Sequence, residues 1–307
     1  MMEKPTFLVI GAQKCGTTSL YEYLDQHPKV FMSPVKELRY FSGEAASDNA
    51  AAIDGPVIPD FSAYCEHFDG ASEHQAAGEV SPSYMYYPGT AKRIHQRLPD
   101  VDLIAILRDP VKRAFSEYWH HWKMGRRLNE DFLGFVLSEN VAAEPQLSEY
   151  QDCVRRGLYH RQLKPFFRLF DRSQVRVFLY EDLKSDPEAL MQRVYEFIGA
   201  DAEFTPETDR AYNRGMMPQT DWKFLVSQMV EWWIDRYFMK ESKRIEYRRW
   251  LRRILNLKRK SVRQEQRSKL KGLFRKDIHK LQSLVDKSFD KWLEKQSANS
   301  NMNNRTK

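Results

Sequence analysis

The chain has 307 residues, a formal net charge of +7 and 42% hydrophobic residues, enough to bury a substantial core as one large domain or two small ones. Its three cysteines, Cys15, Cys65 and Cys153, are too sparse for a disulfide framework and fit a reducing compartment. No apolar run approaches the ~18 residues of a membrane span, and no signal-like leader precedes the first apolar run, so the expected location is cytoplasmic.

Short apolar runs at residues 7–10, 30–32, 78–80, 103–107 and 175–179 read as buried parallel strands. Helical patterns at residues 88–98, 110–123, 162–170 and 187–198 lie between and after them. This alternation predicts an α/β fold, a parallel sheet of about five strands flanked by helices. Residues 43–75 read as an irregular loop with one short helix near 61–68. From Asp221 onward strand signals vanish, and residues 222–237, 246–255 and 266–293 carry helical patterns. The expected organisation is a single domain over residues 1–295, with the sheet core over 6–200 and a helical C-terminal region over 216–295. The polar, Asn-rich residues 296–307 read as a disordered tail.

The turn between the first strand and the first helix carries the most chemical information. Gly11-Ala12-Gln13-Lys14-Cys15-Gly16-Thr17-Thr18-Ser19 joins the apolar run to an amphipathic segment with Leu20, Tyr21, Tyr23 and Leu24. A strand, a glycine turn and a helix start is the layout of a phosphate site, with an ordinary tight βα turn as the alternative on the motif alone. The first N–H groups of a helix are unpaired within it, and its dipole favours an anion there. Lys14 adds a charge, and Thr17, Thr18 and Ser19 add hydroxyl donors. The spacing is not that of a Walker A loop, in which lysine directly follows the second glycine. Here Thr17 takes that place and Lys14 stands before Gly16. That departure argues for a different anhydride from the β,γ-phosphates of ATP. Ligands of open α/β sheets bind beyond the carboxyl ends of the strands, where the polar motifs of this chain also fall.

Those motifs form an ordered set. Gln13-Lys14-Cys15-Gly16-Thr17-Thr18-Ser19-Leu20 is followed by His27-Pro28 and by Lys36-Glu37-Leu38-Arg39-Tyr40-Phe41. Then come Gly78-Glu79-Val80-Ser81-Pro82-Ser83-Tyr84, Leu107-Arg108-Asp109-Pro110-Val111-Lys112-Arg113-Ala114-Phe115-Ser116-Glu117-Tyr118, and Gly157-Leu158-Tyr159-His160-Arg161-Gln162-Leu163. In this order they resemble the sulfotransferases that use 3′-phosphoadenosine 5′-phosphosulfate (PAPS), over residues 6–200. The branch resembled is that of heparan sulfate N- and 3-O-sulfotransferases and their bacterial relatives.

The resemblance implies a P-loop-like core and direct in-line transfer of a sulfuryl group from PAPS. The acceptor would be a hydroxyl, with an amine as second choice, on a carbohydrate or a small metabolite. Gln13, Lys14, Cys15, Gly16, Thr17, Thr18 and Ser19 would then surround the donor's 5′-phosphosulfate, with Lys14 stabilising charge on the bridging oxygen. Asp109 is placed to cap the helix that Pro110 starts, which sets Arg108 at the strand end and Ser116 about two turns along. The resemblance gives Arg108 and Ser116 the 3′-phosphate. Gly157 and Tyr159 either frame the nucleotide or belong to the core. Lys258, Arg259 and Lys260 are placed over the 3′-phosphate, on their charge and on a likeness of residues 269–292 to the family's last helix.

The acceptor must lose a proton, and Glu37 is assigned as the general base by its resemblance to the family's catalytic Glu. The alternative for the Lys36-Glu37 step is a solvated surface pair. His120 and His121 are the second candidates for the base. Cys15 sits where a helix N-terminus lowers a thiol pKa, but direct transfer needs no covalent intermediate. Cys65, His67 and His74 match no standard zinc spacing, so no metal is expected.

Residues 240–276 hold 16 Lys or Arg against three acids. Such a block reads as a solvated helix face, an anionic membrane surface or an acidic substrate. No nucleic-acid-binding motif accompanies it. Trp222, Trp232, Trp233 and Phe238 next to it favour a helix–helix core over a lipid contact. Two other functions stand against the transferase reading. One is a nucleotide or small-molecule kinase, which needs a Walker lysine and Mg²⁺ ligands that this chain does not display. The other is a non-catalytic nucleotide- or membrane-binding module.

Overall fold

In the computed structural model, which describes residues 3–43, 58–123, 132–133, 136, 153–208, 262 and 264–294, the first strand is buried along its whole length. The chain divides into two compact units, Met1–Tyr212 with Arg263–Lys307, and Asn213–Val262. Apart from Val262, the described residues belong to the first unit. The helical patterns at 222–237 and 246–255, the Lys258-Arg259-Lys260 cluster and the tail at 296–307 lie outside the described residues, as does the His121 side chain.

The strands are β1 (Phe7–Gly11), β2 (Val30–Met32), β3 (Ala76–Val80), β4 (Asp102–Leu107) and β5 (Val175–Leu179). They pair in parallel in one sheet of order β2-β3-β1-β4-β5. All five expected strands form: β1, β3 and β4 beyond Asp102 are buried on both faces, while the edge strands leave Phe31 of β2 partly exposed and Arg176 of β5 exposed. In this order the chain leaves β1 toward one side of the sheet and reaches β4 on the other. The carboxyl ends of β1, β3 and β4 therefore open onto one crevice, the place where such sheets bind ligands. Phe7 faces Gly78 across the β1–β3 register. A Cβ on Gly78 would lie 2.4 Å from Phe7 Cζ, so the glycine makes room for the ring at the sheet centre.

The helices are α1 (Thr17–Asp25), α2 (Phe61–Cys65), α3 (Thr90–Arg97), α4 (Pro110–Lys123), α5 (Tyr159–Leu163), α6 (Phe166–Leu169), α7 (Tyr180–Ser185), α8 (Pro187–Phe197), α9 (Gln264–Val285) and α10 (Asp290–Leu293). Three differ from the sequence reading for local reasons. The helix expected at 162–170 is two pieces, since Pro165 has no N–H to continue the ladder. The helix expected at 88–98 starts at Thr90, after Gly89 turns left-handed at φ 77°. The helix expected at 266–293 breaks after Val285, where Asp286 has φ 49°.

Asp109 caps α4 as the sequence predicts, its Oδ1 accepting from the N–H of Val111 at 3.0 Å and of Lys112 at 3.2 Å. Its other oxygen receives Arg267 Nη2 of α9 at 2.5 Å in a buried ion pair. Leu270, Phe274, Ile278 and Leu281 of α9 are buried at helical spacing. Asp277 of the same helix accepts from the N–H of His160 at 2.9 Å and of Arg161 at 3.3 Å, capping α5 across the chain.

Asp102, at the start of β4, has its carboxyl pushed up to about 6 because burial penalises the charge more than Arg176 relieves it. A folded-state pKa above the unfolded value of 3.8 leaves stability untouched at low pH. Stability is lost as pH rises from there to about 6 and stays lost above. Asp102→Asn should therefore raise the melting temperature at pH 8, and the gain should shrink toward pH 4. Thermal denaturation of both proteins across that range measures it.

Candidate active site

The loop after β1 keeps the start of α1 open. Gly16 sits at the helix N-cap in the left-handed region at φ 93°, and no side chain caps the helix. Lys14 is also left-handed, at φ 66°. The N–H of Ala12 donates to Ile106 O of β4 at 2.9 Å, and that of Cys15 to Ala12 O at 3.2 Å. Arg108 Nη1 donates to Lys14 O at 3.2 Å. Thr17, Thr18 and Ser19 form the first turn, so their N–H groups have no partner within the helix. Gln13, Lys14, Gly16, Thr18 and Ser19 are partly exposed along this turn.

Cys15 points the other way. It is fully buried, and its Sγ lies 3.7 Å from the hydroxyl of Tyr159, which donates to Arg108 O at 2.8 Å. Burial pushes the Cys15 thiol up to about 11, although Arg113, Tyr159 and Arg108 favour the thiolate. This corrects the lowered thiol pKa expected at a helix N-terminus: the sulfur lies inside the core. Tyr159 is likewise wholly buried and takes the core alternative. Its hydroxyl ties the loop between β1 and α1 to the end of β4.

Arg108 leaves β4 with its guanidinium 4.6 Å from the centre of the Tyr180 ring. Its Nε is buried and has no hydrogen-bond partner among the described residues. Ser116 is half-exposed on α4, two turns after Asp109.

Glu37 stands on the loop after β2. Its N–H donates to Val80 O at 3.1 Å, and its φ of 61° turns the chain sharply. Arg39 Nε and Nη2 approach at 3.2 and 2.5 Å, both at Glu37 Oε2, which leaves Oε1 outside the pair. Lys36 does not bond Glu37; its Nζ donates to Thr18 Oγ1 of α1 at 2.6 Å. The two side chains thus serve different partners, Glu37 pairing with Arg39 and Lys36 bonding Thr18.

Behind this loop lies Glu79, fully buried on β3. It accepts from Ser81 Oγ at 2.6 Å, Tyr84 OH at 2.6 Å and Tyr64 OH at 3.0 Å. Burial pushes its carboxyl pKa up, against the hydroxyls that stabilise its charge. Ser81 Oγ in turn accepts the N–H of Arg39 at 3.0 Å, so the carboxylate fixes the Glu37 loop from beneath. His27 is structural: its Nδ1 accepts the N–H of Lys29 at 3.0 Å, which leaves Nε2 to donate to Asp201 O at 2.9 Å. His120 is exposed on α4. Among the described residues no group of three or more His, Cys, Asp or Glu side chains is placed to hold a metal ion.

The crevice thus presents an uncapped helix start, the Lys36 ammonium group, the partly exposed Lys14 and an arginine with an orphan donor. These groups fit an anionic nucleotide. Sequence reasoning singled out Lys14, Glu37 and Arg108 but missed the Lys36 contact, Arg39, Glu79 and the Tyr180 platform. Glu79 stood within the Gly78–Tyr84 motif, but its sequence position gave it no role.

A sequence profile for the family described as "Sulfotransferase domain" matches residues 4–300. A mouse bifunctional heparan sulfate N-deacetylase/N-sulfotransferase 4 is 31% identical over 209 residues, covering 64% of this chain and 22% of that protein. A mouse heparan sulfate glucosamine 3-O-sulfotransferase 6 is 30% identical over 195 residues, covering 64% and 52% respectively. The membrane-associated sulfotransferase kil1 of Dictyostelium discoideum is 23% identical, with 63% of this chain and 56% of that protein covered. The chain thus spans from about a fifth to just over half of the length of these curated relatives. Among solved structures, a sulfotransferase from Alicyclobacillus acidocaldarius superposes with a TM-score of 0.69 at 26% identity, covering 95% of this chain and 99% of that one.

Gly16→Ala should damage this site twice. The residue needs φ 93°, and a Cβ would meet Tyr180 Cδ2 at 2.8 Å and Leu183 Cδ2 at 3.0 Å. A loss of about 1–3 kcal/mol in urea unfolding, together with loss of nucleotide binding by calorimetry, is expected. Gly70→Ala provides the contrast, since Gly70 has φ 92° but open space around it. It should cost only backbone strain and leave binding intact.

Proposed function

The chain belongs to the sulfotransferase family, and from that premise we propose that it takes the sulfuryl group from PAPS and passes it to an acceptor hydroxyl by direct displacement. The observation that carries the donor assignment is the uncapped start of α1 beside Arg108, whose buried Nε lacks a partner among the described residues. A nucleotide with two phosphates suits the pair, one phosphate for the helix start and one for Arg108. PAPS supplies an activated sulfate whose leaving group is a phosphate.

In this reading the N–H groups of Thr17, Thr18 and Ser19 bind the 5′-phosphate, and Lys14 stabilises the charge that the phosphate gains. Arg108 and Ser116 take the 3′-phosphate. Glu37 accepts the acceptor's proton at Oε1, while Arg39 holds the carboxylate in place through Oε2. The resemblance to heparan sulfate enzymes supports a carbohydrate acceptor, and a small metabolite is the second choice. A cytoplasmic location belongs to the same proposal.

The decisive assay is a mass shift of one SO₃ group on candidate carbohydrate acceptors incubated with enzyme and PAPS. Lys14→Ala should lower kcat by about 10²–10³ while nucleotide binding weakens far less. Glu37→Gln should keep cofactor affinity and lose turnover; an active Glu37→Gln protein together with an inactive His120→Ala protein would move the base to His120. Adenosine 3′,5′-bisphosphate should bind about two orders of magnitude tighter than 5′-AMP, from two or three hydrogen bonds to a charged group. Arg108→Ala should erase most of that preference in calorimetry. Equal binding of the two nucleotides by the unmodified protein would refute the PAPS assignment.

A further inference from the structure

Lys36 is the second cation of the crevice. Its Nζ lies 2.6 Å from Thr18 Oγ1, on the first turn of α1, although eighteen residues separate the two in sequence. The side chain is half-buried, and burial lowers its ammonium pKa even though Glu37 and Glu22 favour the charge. A lysine does not give up water for a single threonine hydroxyl without a reason. A surface position would leave the charge hydrated at no cost.

The backbone shows how the lysine is delivered. The N–H of Ser33 is held by Gly78 O at 2.9 Å, that of Glu37 by Val80 O at 3.1 Å, and that of Arg39 by Ser81 Oγ at 3.0 Å. The segment from β2 is therefore pinned along β3 on both sides of Lys36, and the side chain reaches back to α1. In a Walker loop the lysine follows the second glycine directly. Here that position is Thr17, and the charge arrives instead from a neighbouring loop.

We propose that Lys36 is a ligand of the donor's 5′-phosphate, held ready on Thr18 and completing with Lys14 the positive wall around the start of α1. This rests on the PAPS reading above and deepens it. A direct consequence is that the residue next to the base also grips the donor.

The test separates phosphate positions. Lys36→Met keeps the length of the stem and removes the charge; Lys36→Arg restores it. Calorimetry is run with adenosine 3′,5′-bisphosphate, 5′-AMP and 3′-AMP, and melting temperatures without nucleotide report on folding. Lys36→Met should weaken the two nucleotides that carry a 5′-phosphate by about tenfold or more, and by the same factor. Binding of 3′-AMP and the melting temperature should stay unchanged, and Lys36→Arg should recover most of the loss. Unchanged binding of 5′-AMP by Lys36→Met would overturn the proposal. Equal weakening of 3′-AMP and 5′-AMP would overturn it too, since that marks a general disturbance of the crevice. Either failure is distinct from failure of the PAPS reading, which shows in the unmodified protein as equal affinity for adenosine 3′,5′-bisphosphate and 5′-AMP.

Discussion

The site depends on one constraint: α1 begins on a residue that has no side chain to cap it. Most helices satisfy their first N–H groups locally with Ser, Thr, Asp or Asn. Here Gly16 leaves them unsatisfied, and the surrounding structure holds that open end in place. Ile106 fixes the loop at Ala12, Arg108 holds the carbonyl of Lys14, and Cys15 is sunk into the core against Tyr159. Each contact restrains the loop without using the donors that face the crevice. The fold leaves the start of α1 open to the crevice.

Two buried carboxylates organise the walls around it. Asp109 satisfies the start of α4 with one oxygen and the Arg267 guanidinium with the other. Glu79 gathers three hydroxyls and, through Ser81, fixes the backbone that carries Arg39 and Glu37. Removing one partner from a buried ion pair such as Asp109–Arg267 typically costs about 3–5 kcal/mol, far more than the contact itself contributes. Such carboxylates are fixed points: neither faces the substrate, and both decide where the facing groups stand.

Much of this was legible from residue order. The five apolar runs are too short for helices and became strands, and the Asp109-Pro110 step announced both the start of α4 and the position of Arg108. What stayed hidden depends on contacts between distant residues. Nothing near Lys36 says that it reaches Thr18, because pattern reasoning sees neighbours along the chain and not across two loops. Cys15 misled for a related reason. Its place at a helix start predicts an activated thiol, yet the direction of the side chain, set by the left-handed turns on both sides, puts it in the core. Tyr159 was ambiguous because a buried tyrosine and a ligand-facing one look alike in sequence; in the fold it is buried and bonds the Arg108 carbonyl.

The contacts of α9 bear on how the protein is made. Arg267 meets an aspartate 158 residues earlier in the chain, and Asp277 caps a helix start 117 residues earlier. Phe274 fills the space that Gly157 leaves, and the Trp292 ring lies 6.0 Å from that of Tyr159, the side chain that anchors the loop between β1 and α1. On the ribosome every motif residue up to Leu163 emerges before any of these partners exists. A nascent chain would carry the complete set of site residues with Asp109 unpaired and Tyr159 unsupported. Contacts of such long sequence separation form late and slowly. The crevice is therefore assembled after translation has passed it, and nucleotide affinity should mark completion of the fold rather than completion of the sheet.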